Sequence, residues 1–137
     1  MATLRDIQEY GTYIEFSFLK CIPGDYEGCR LNFKHYKGNS IVDELDFGWT
    51  NLTIKNYVEV TSNFPLEELN NFKLNNLHTS FENHLYHLEW TKLEKGNTHK
   101  LHFFGSQQDF TLIVADDEIR QFGHDLKSEW EKGLNRD

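Results

Sequence analysis

The sequence predicts an α+β domain: an antiparallel β-sheet of about five to seven strands with two main helices packed on one face. Three observations carry this. Apolar residues alternate with period two through Ile14, Phe16 and Phe18, and again through Cys29, Leu31 and Phe33, the pattern of half-buried strands. Ile119, Phe122, Leu126 and Trp130 recur at three- and four-residue spacing, the stripe of an amphipathic helix. Aromatic residues make up 15% of the 137 residues and hydrophobic ones 38%, enough for a packed core and unlike a disordered composition. No repeat, low-complexity tract or Pro/Gly-rich linker interrupts the chain, so residues 1–137 read as a single domain.

The first hairpin pairs residues 12–20 with 29–36 around a Pro23-Gly24 turn. Two registers compete. One sets Cys21 against Cys29; the other pairs Phe16 with Phe33 and Phe18 with Leu31, and matching apolar faces favours the second. The two cysteines are then expected as reduced thiols. Lys37-Gly38-Asn39-Ser40 reads as a turn and Ile41–Phe47 as a short strand. Leu52, Ile54, Val58 and Val60 read as a longer strand that Asn56 interrupts.

A helix start follows at Ser62 or Asn63, with Pro65 in the first turn and Glu67 and Glu68 behind it. Leu66, Leu69 and Phe72 form its apolar face. Leu74, Leu77 and Phe81 continue out of phase, which predicts a bend or restart near Lys73. A strand triplet comes next. A Gly96-Asn97 turn pairs Trp90 with Phe103 and Thr91 with His102; a Ser106-Gln107 turn pairs Phe103 with Phe110 and Leu101 with Leu112. A helix is expected over the face bearing Trp90, Phe103 and Phe110. The last helix opens at Asp116-Asp117 and runs to about Lys132. Asp116, Asp117 and Glu118 are expected to cap it and complement its dipole. Gly123 is expected to permit close helix-to-sheet approach.

The chain carries 14 Lys and Arg against 22 Asp and Glu, a formal charge of -8. Nucleic-acid binding through the phosphate backbone is disfavoured, since it needs a dense Lys/Arg face, and a basic partner is favoured. Arg5, Asp6 and Glu9 interrupt the N-terminal segment, which has no apolar run of the signal-peptide kind. No stretch approaches the ~18 apolar residues of a membrane helix. The expectation is a cytoplasmic protein with no membrane contact, in which the sequon Asn51-Leu52-Thr53 is a chance match.

Seven histidines include His84 with His87 and His99 with His102 at H-x-x-H spacing, but residues three apart on a strand point to opposite faces, so neither pair grips one ion. No metal and no cofactor are expected. Neither cysteine sits in a nucleophile motif, and no glycine-rich phosphate loop is present. Asp46-Phe47-Gly48 matches a kinase tripeptide but reads as a strand entering a turn. Asp43, Glu44 and Asp46 offer carboxylates without a defined acid/base pair. No enzymatic activity is expected.

Acidic residues beside aromatic ones suit a protein interface instead. Tyr26 lies between Asp25 and Glu27, while Phe47 and Trp49 follow Asp43, Glu44 and Asp46. These eight residues are the candidate partner-binding set; for Trp49 both a core and an interface position are open.

The chain resembles the small acidic α+β immunity proteins that bacteria encode beside polymorphic or contact-dependent inhibition toxins. The resemblance spans the chain in size, acidity and layout. It is nearest at the ending Phe110-Thr-Leu-Ile-Val-Ala-Asp-Asp-Glu-Ile-Arg-Gln-Phe-Gly, a final strand passing directly into an amphipathic helix. It implies a non-enzymatic protein that binds one cognate toxin domain with a basic surface, often a nuclease, and blocks its active site or the approach of its substrate. A small-ligand-binding module is the alternative, and an unrecognised hydrolase a further one.

Overall fold

Ten elements follow in order: β1 (Ala2–Arg5), β2 (Tyr13–Cys21), β3 (Gly28–Lys37), β4 (Ser40–Thr50), α1 (Asn51–Ser62), β5 (Asn71–His78), β6 (Leu85–Lys92), β7 (Thr98–Phe104), β8 (Asp109–Ala115) and α2 (Asp116–Leu134). The computed structural model describes residues 1–64, 71–78, 85–93, 96–104 and 109–135, with 71–78 and 85–92 described by their backbone. The class is the α+β fold with an antiparallel sheet that the sequence predicts. The sheet has eight strands in sequential order, one beyond the expected range.

This meander has a narrow middle. β4 and β5 meet at the single pair Gly48–His78, whereas the ladders within β1–β4 and within β5–β8 are continuous. The two halves therefore fold face to face. Phe33 of β3 stacks on Phe103 of β7 at 4.6 Å and on Phe110 of β8 at 6.2 Å. The expectation put a helix over Phe103 and Phe110; the ring that lies on both is Phe33, from the other half of the sheet. At the rim, the Ile7 N–H donates to the Ile113 carbonyl at 2.9 Å and ties the β1–β2 connection to β8.

In the first hairpin Phe16 pairs with Phe33 and Phe18 with Leu31, as apolar matching requires. Cys21 nevertheless faces Cys29, because the register shifts between Phe18 and Lys20. One extra residue in a bulge lets both registers coexist in one hairpin, one on each side of it. β4 runs past the expected end at Phe47 to Thr50, so that Leu45, Phe47 and Trp49 alternate into the core.

Two elements differ in type. The expected strand through Leu52 and Val60 is helix α1: Thr50 accepts a hydrogen bond from the Thr53 N–H at its N-terminus, and Ile54, Tyr57, Val58 and Thr61 are buried at helical spacing while Leu52 is exposed. β-Branched residues fit a strand, and here packing of one stripe overrides that preference. The expected helix beyond Pro65 gives way to β5, which contains Phe72, Leu74 and Leu77. Pro65, Leu66, Leu69 and Phe81 lie outside the described residues.

β7 and β8 pair as expected, with Phe103 opposite Phe110 and Leu101 opposite Leu112. β6 is displaced by two residues: Trp90 faces Leu101 and Glu89 faces His102. The hairpin closes through the Leu93 N–H and the Thr98 carbonyl, which centres the turn one residue before the expected position.

α2 matches its expected span, and its first-turn carboxylates lie at the positive end of the dipole. None of them is the cap. Ala115 occupies that position without a side-chain bond, and Asp116 instead turns inward to His99. Both helices cover the core face of the first half: Phe122 meets Phe16 edge-on at 5.4 Å, and Tyr57 tilts against Trp49 at 5.2 Å. Gly123 serves a helix-to-helix approach rather than the expected helix-to-sheet one, since a Cβ there would lie 2.5 Å from the Ser62 nitrogen and the Thr61 hydroxyl. Among the described residues, no helix is long and apolar enough to cross a membrane.

Candidate functional site

The β2–β3 connection, residues 22–27, sits at the end of the hairpin where β4 enters α1. Asn51, the first residue of α1, holds it there. Its Nδ2 donates to the Ile22 carbonyl at 2.9 Å and to the Gly24 carbonyl at 2.7 Å, and its backbone N–H donates to the Glu27 carbonyl at 2.9 Å. Its Oδ1 accepts from the Trp130 indole at 3.0 Å and from the Cys29 thiol at 3.6 Å. A single buried amide thus spends both ends on fixing one loop to two helices, leaving few loop conformations open. Gly28 completes the seating, because a Cβ there would collide with the Trp49 carbonyl. The sequon match at Asn51 is accounted for: the nitrogen that would carry a glycan is engaged in these two bonds.

The fixed loop presents its side chains outward. Tyr26 is 92% exposed, with Asp25 and Glu27 exposed on either side. Ile22 on the loop and Leu52 on α1, the residue after Asn51, are exposed as well. The surface combines a protruding aromatic, apolar neighbours and two carboxylates.

The eight candidate residues do not form one patch. Asp25, Tyr26 and Glu27 come together at the loop. Glu44 and Asp46 are exposed on the outer face of β4, where the Asn32 amide donates to both, at 3.0 and 2.8 Å. In the ladder Glu44 lies opposite Lys34, which lies opposite Glu15, so one base stands between these two acids. At strand rise Asp46 stands ~14 Å and Glu44 ~20 Å from the loop base. Asp43 points elsewhere, 3.5 Å from His35. Phe47 and Trp49 are corrections. Both are buried, Trp49 at 4% exposure among Phe16, Phe47 and Tyr57, because Leu45, Phe47 and Trp49 alternate onto the core face of β4; neither serves as a surface anchor.

Titratable groups elsewhere have structural surroundings. His35 stacks on Phe110 at 3.8 Å between the sheet halves; burial lowers its pKa, outweighing the raising effect of Asp43. Tyr36, stacked on Tyr13 at 4.4 Å, has its pKa raised by desolvation and then by Glu15, Tyr13 and Glu44. His99 is buried with its Nδ1 2.6 Å from Asp116 Oδ1, which pins the start of α2 to β7. His102 lies on the opposite face of β7, bonded to Asp109 at 2.7 Å. Among the described residues no three His, Cys, Asp or Glu side chains gather as metal ligands.

No protein-family model matches the chain, and no curated protein matches it. Among solved structures it is similar to the plant transcriptional regulator PBF-2, at 11% identity and a TM-score of 0.45, over 96% of this chain and 85% of the other.

Proposed function

We propose that this chain is a non-enzymatic immunity protein of the cytoplasm, which binds a cognate bacterial toxin domain through the Ile22–Glu27 loop and thereby neutralises it. One observation carries the reading: Tyr26, exposed between Asp25 and Glu27, stands on a loop that Asn51 has already ordered. An interface gains most from a rigid aromatic that buries into a pocket, and it loses least when the loop bearing it is fixed before contact. The formal charge of -8 supplies long-range attraction to a basic surface. A nuclease domain has such a surface, since it must hold a phosphate backbone. Glu44 and Asp46 add to the field from the side rather than to the contact.

The test is biological. The chain is used to capture its partner in the organism that carries its gene, and that partner is expressed alone and together with the chain. The expected partner is a basic protein that arrests growth alone and is harmless in the pair. A partner whose expression is harmless, or whose toxicity persists with the chain bound, contradicts it.

A further inference from the structure

Cys21 and Cys29 face each other across β2 and β3. The next pair toward the loop, Ile22 with Gly28, is hydrogen-bonded through the Ile22 N–H and the Gly28 carbonyl at 3.0 Å. Pairs alternate along an antiparallel ladder, so the cysteines form a non-hydrogen-bonded pair, the kind whose Cα atoms approach to ~4.5 Å and whose side chains lie closest. A disulfide spans Cα separations of roughly 4.4–6.8 Å. The bulge makes this possible. Without it the register of Phe18 with Leu31 would continue and set Cys21 opposite Gly28.

Both thiols are free, and they differ in access. Cys21 lines an open cleft of about 580 Å³ between β2 and the end of α2, together with Leu19, Lys20, Glu129 and Lys132. Cys29 is buried; desolvation, and then the Cys21 thiol hydrogen-bonded to it, push its pKa well above the ordinary thiol range. Oxidant therefore meets Cys21 first.

We propose that Cys21 and Cys29 are a redox site, a reversible intramolecular disulfide that closes the base of the 22–28 loop. The oxidant class is a low-molecular-weight disulfide such as glutathione disulfide. The Cys21 thiolate attacks one of its sulfurs and releases one glutathione thiolate, leaving a mixed disulfide. The buried Cys29 thiol, held against the Cys21 sulfur, then attacks it and displaces the second glutathione, giving up its own proton to the departing glutathione sulfur as the new bond forms. One protein disulfide forms, one glutathione disulfide is reduced to two glutathiones, and the two protein thiol protons pass to them. Closure removes the Cys29 thiol from Asn51 Oδ1 and leaves the Trp130 indole as the donor to that oxygen.

The full chain is equilibrated in glutathione buffers running from fully reduced to fully oxidised, its free thiols are counted after denaturation, and its peptides are weighed. The expected result is loss of both thiols together at one midpoint, giving a monomer lighter by two hydrogens with residues 21 and 29 in one cross-linked peptide. A Cys29→Ser chain is expected to stop at a glutathione adduct on Cys21. Retention of both thiols in the wild-type chain at the oxidised end, arrest at a Cys21 adduct, or cross-links only between chains would each overturn the proposal. The wild-type outcome decides even if the variant does not fold.

Discussion

The Trp130 indole donates to Asn51 Oδ1 at 3.0 Å across 79 positions of sequence, and through that bond the C-terminal helix rests on the residue that orders the β2–β3 loop. Asn51→Ala leaves the indole and the Ile22 and Gly24 carbonyls without this partner. A fully buried group deprived of its hydrogen bond costs ~1–3 kcal/mol; these three bonds are only part-buried and water replaces some of what is lost, so a total of about 2–4 kcal/mol is expected, read as a lower urea midpoint at unchanged slope. Asn51→Asp keeps an acceptor for Trp130 but sets a carboxylate oxygen against two carbonyls. It is expected to be the worse variant at neutral pH and to recover as acid protonates it.

Gly123→Ala sets helix propensity against space. Alanine gains roughly 1 kcal/mol in a helix interior, yet its Cβ would sit 2.5 Å from the Ser62 nitrogen, a backbone atom of α1. Overpacking of this kind costs ~1–3 kcal/mol. Thermal unfolding should show a lower midpoint for the variant; a raised one would mean that α1 and α2 separate without cost.

His35 gives stability a dependence on pH. Its pKa in the folded chain lies below the ordinary 6.5 because burial disfavours the charged ring, so on acidification the unfolded chain takes up the proton first. The contribution is complete above 6.5 and is lost as pH falls below it and through the folded value. Asp43 and Glu9 favour the charged ring and Lys37 opposes it, but burial prevails. His35→Phe keeps a ring on Phe110 and removes the titration. Urea midpoints measured from neutral to mildly acid pH should fall less steeply for the variant, and parallel curves would rule His35 out as the cause.

How much of this was legible follows from which residues obey one period. Ile14, Phe16 and Phe18 opposite Leu31 and Phe33 fit a strand and nothing else, and α2 has an unambiguous stripe from Ile119 to Trp130. In α1 the β-branched Ile54, Val58, Val60 and Thr61 satisfy strand preference while packing as a helix, and only the rest of the core decides between them. Trp49 shares parity with Leu45 and Phe47, a fact that matters once the strand continues past Phe47. Asn51 was visible only as part of a sequon. The signal that marks it is Thr50 as a helix cap, which the β-branched residues that follow mask. The bulge that aligns Cys21 with Cys29 has no signal in the residues, because both registers are locally acceptable.

Tyr26→Ala should leave stability within about 0.5 kcal/mol, as for exposed positions without special contacts, and should chiefly hasten dissociation of the partner. Asp25→Lys with Glu27→Lys should slow association and weaken its salt dependence. Reversing Glu44 and Asp46, ~14–20 Å away along the strand, should have the smaller effect. Equal effects from the two pairs would move the contact onto the outer face of β4.

Tyr10 and Tyr26 provide the most direct test of the loop as the contact surface. They are 93% and 92% exposed and stand at opposite ends of the β2 hairpin, so each controls for the other. A photo-crosslinking residue is placed at either position in the full chain, and the chain is irradiated in the cells that carry its gene. A basic protein is expected to attach at position 26 and not at position 10, with attachment lost when Asp25 and Glu27 are changed to Lys. Attachment at position 10 alone, or attachment at 26 that survives the charge reversal, would contradict it.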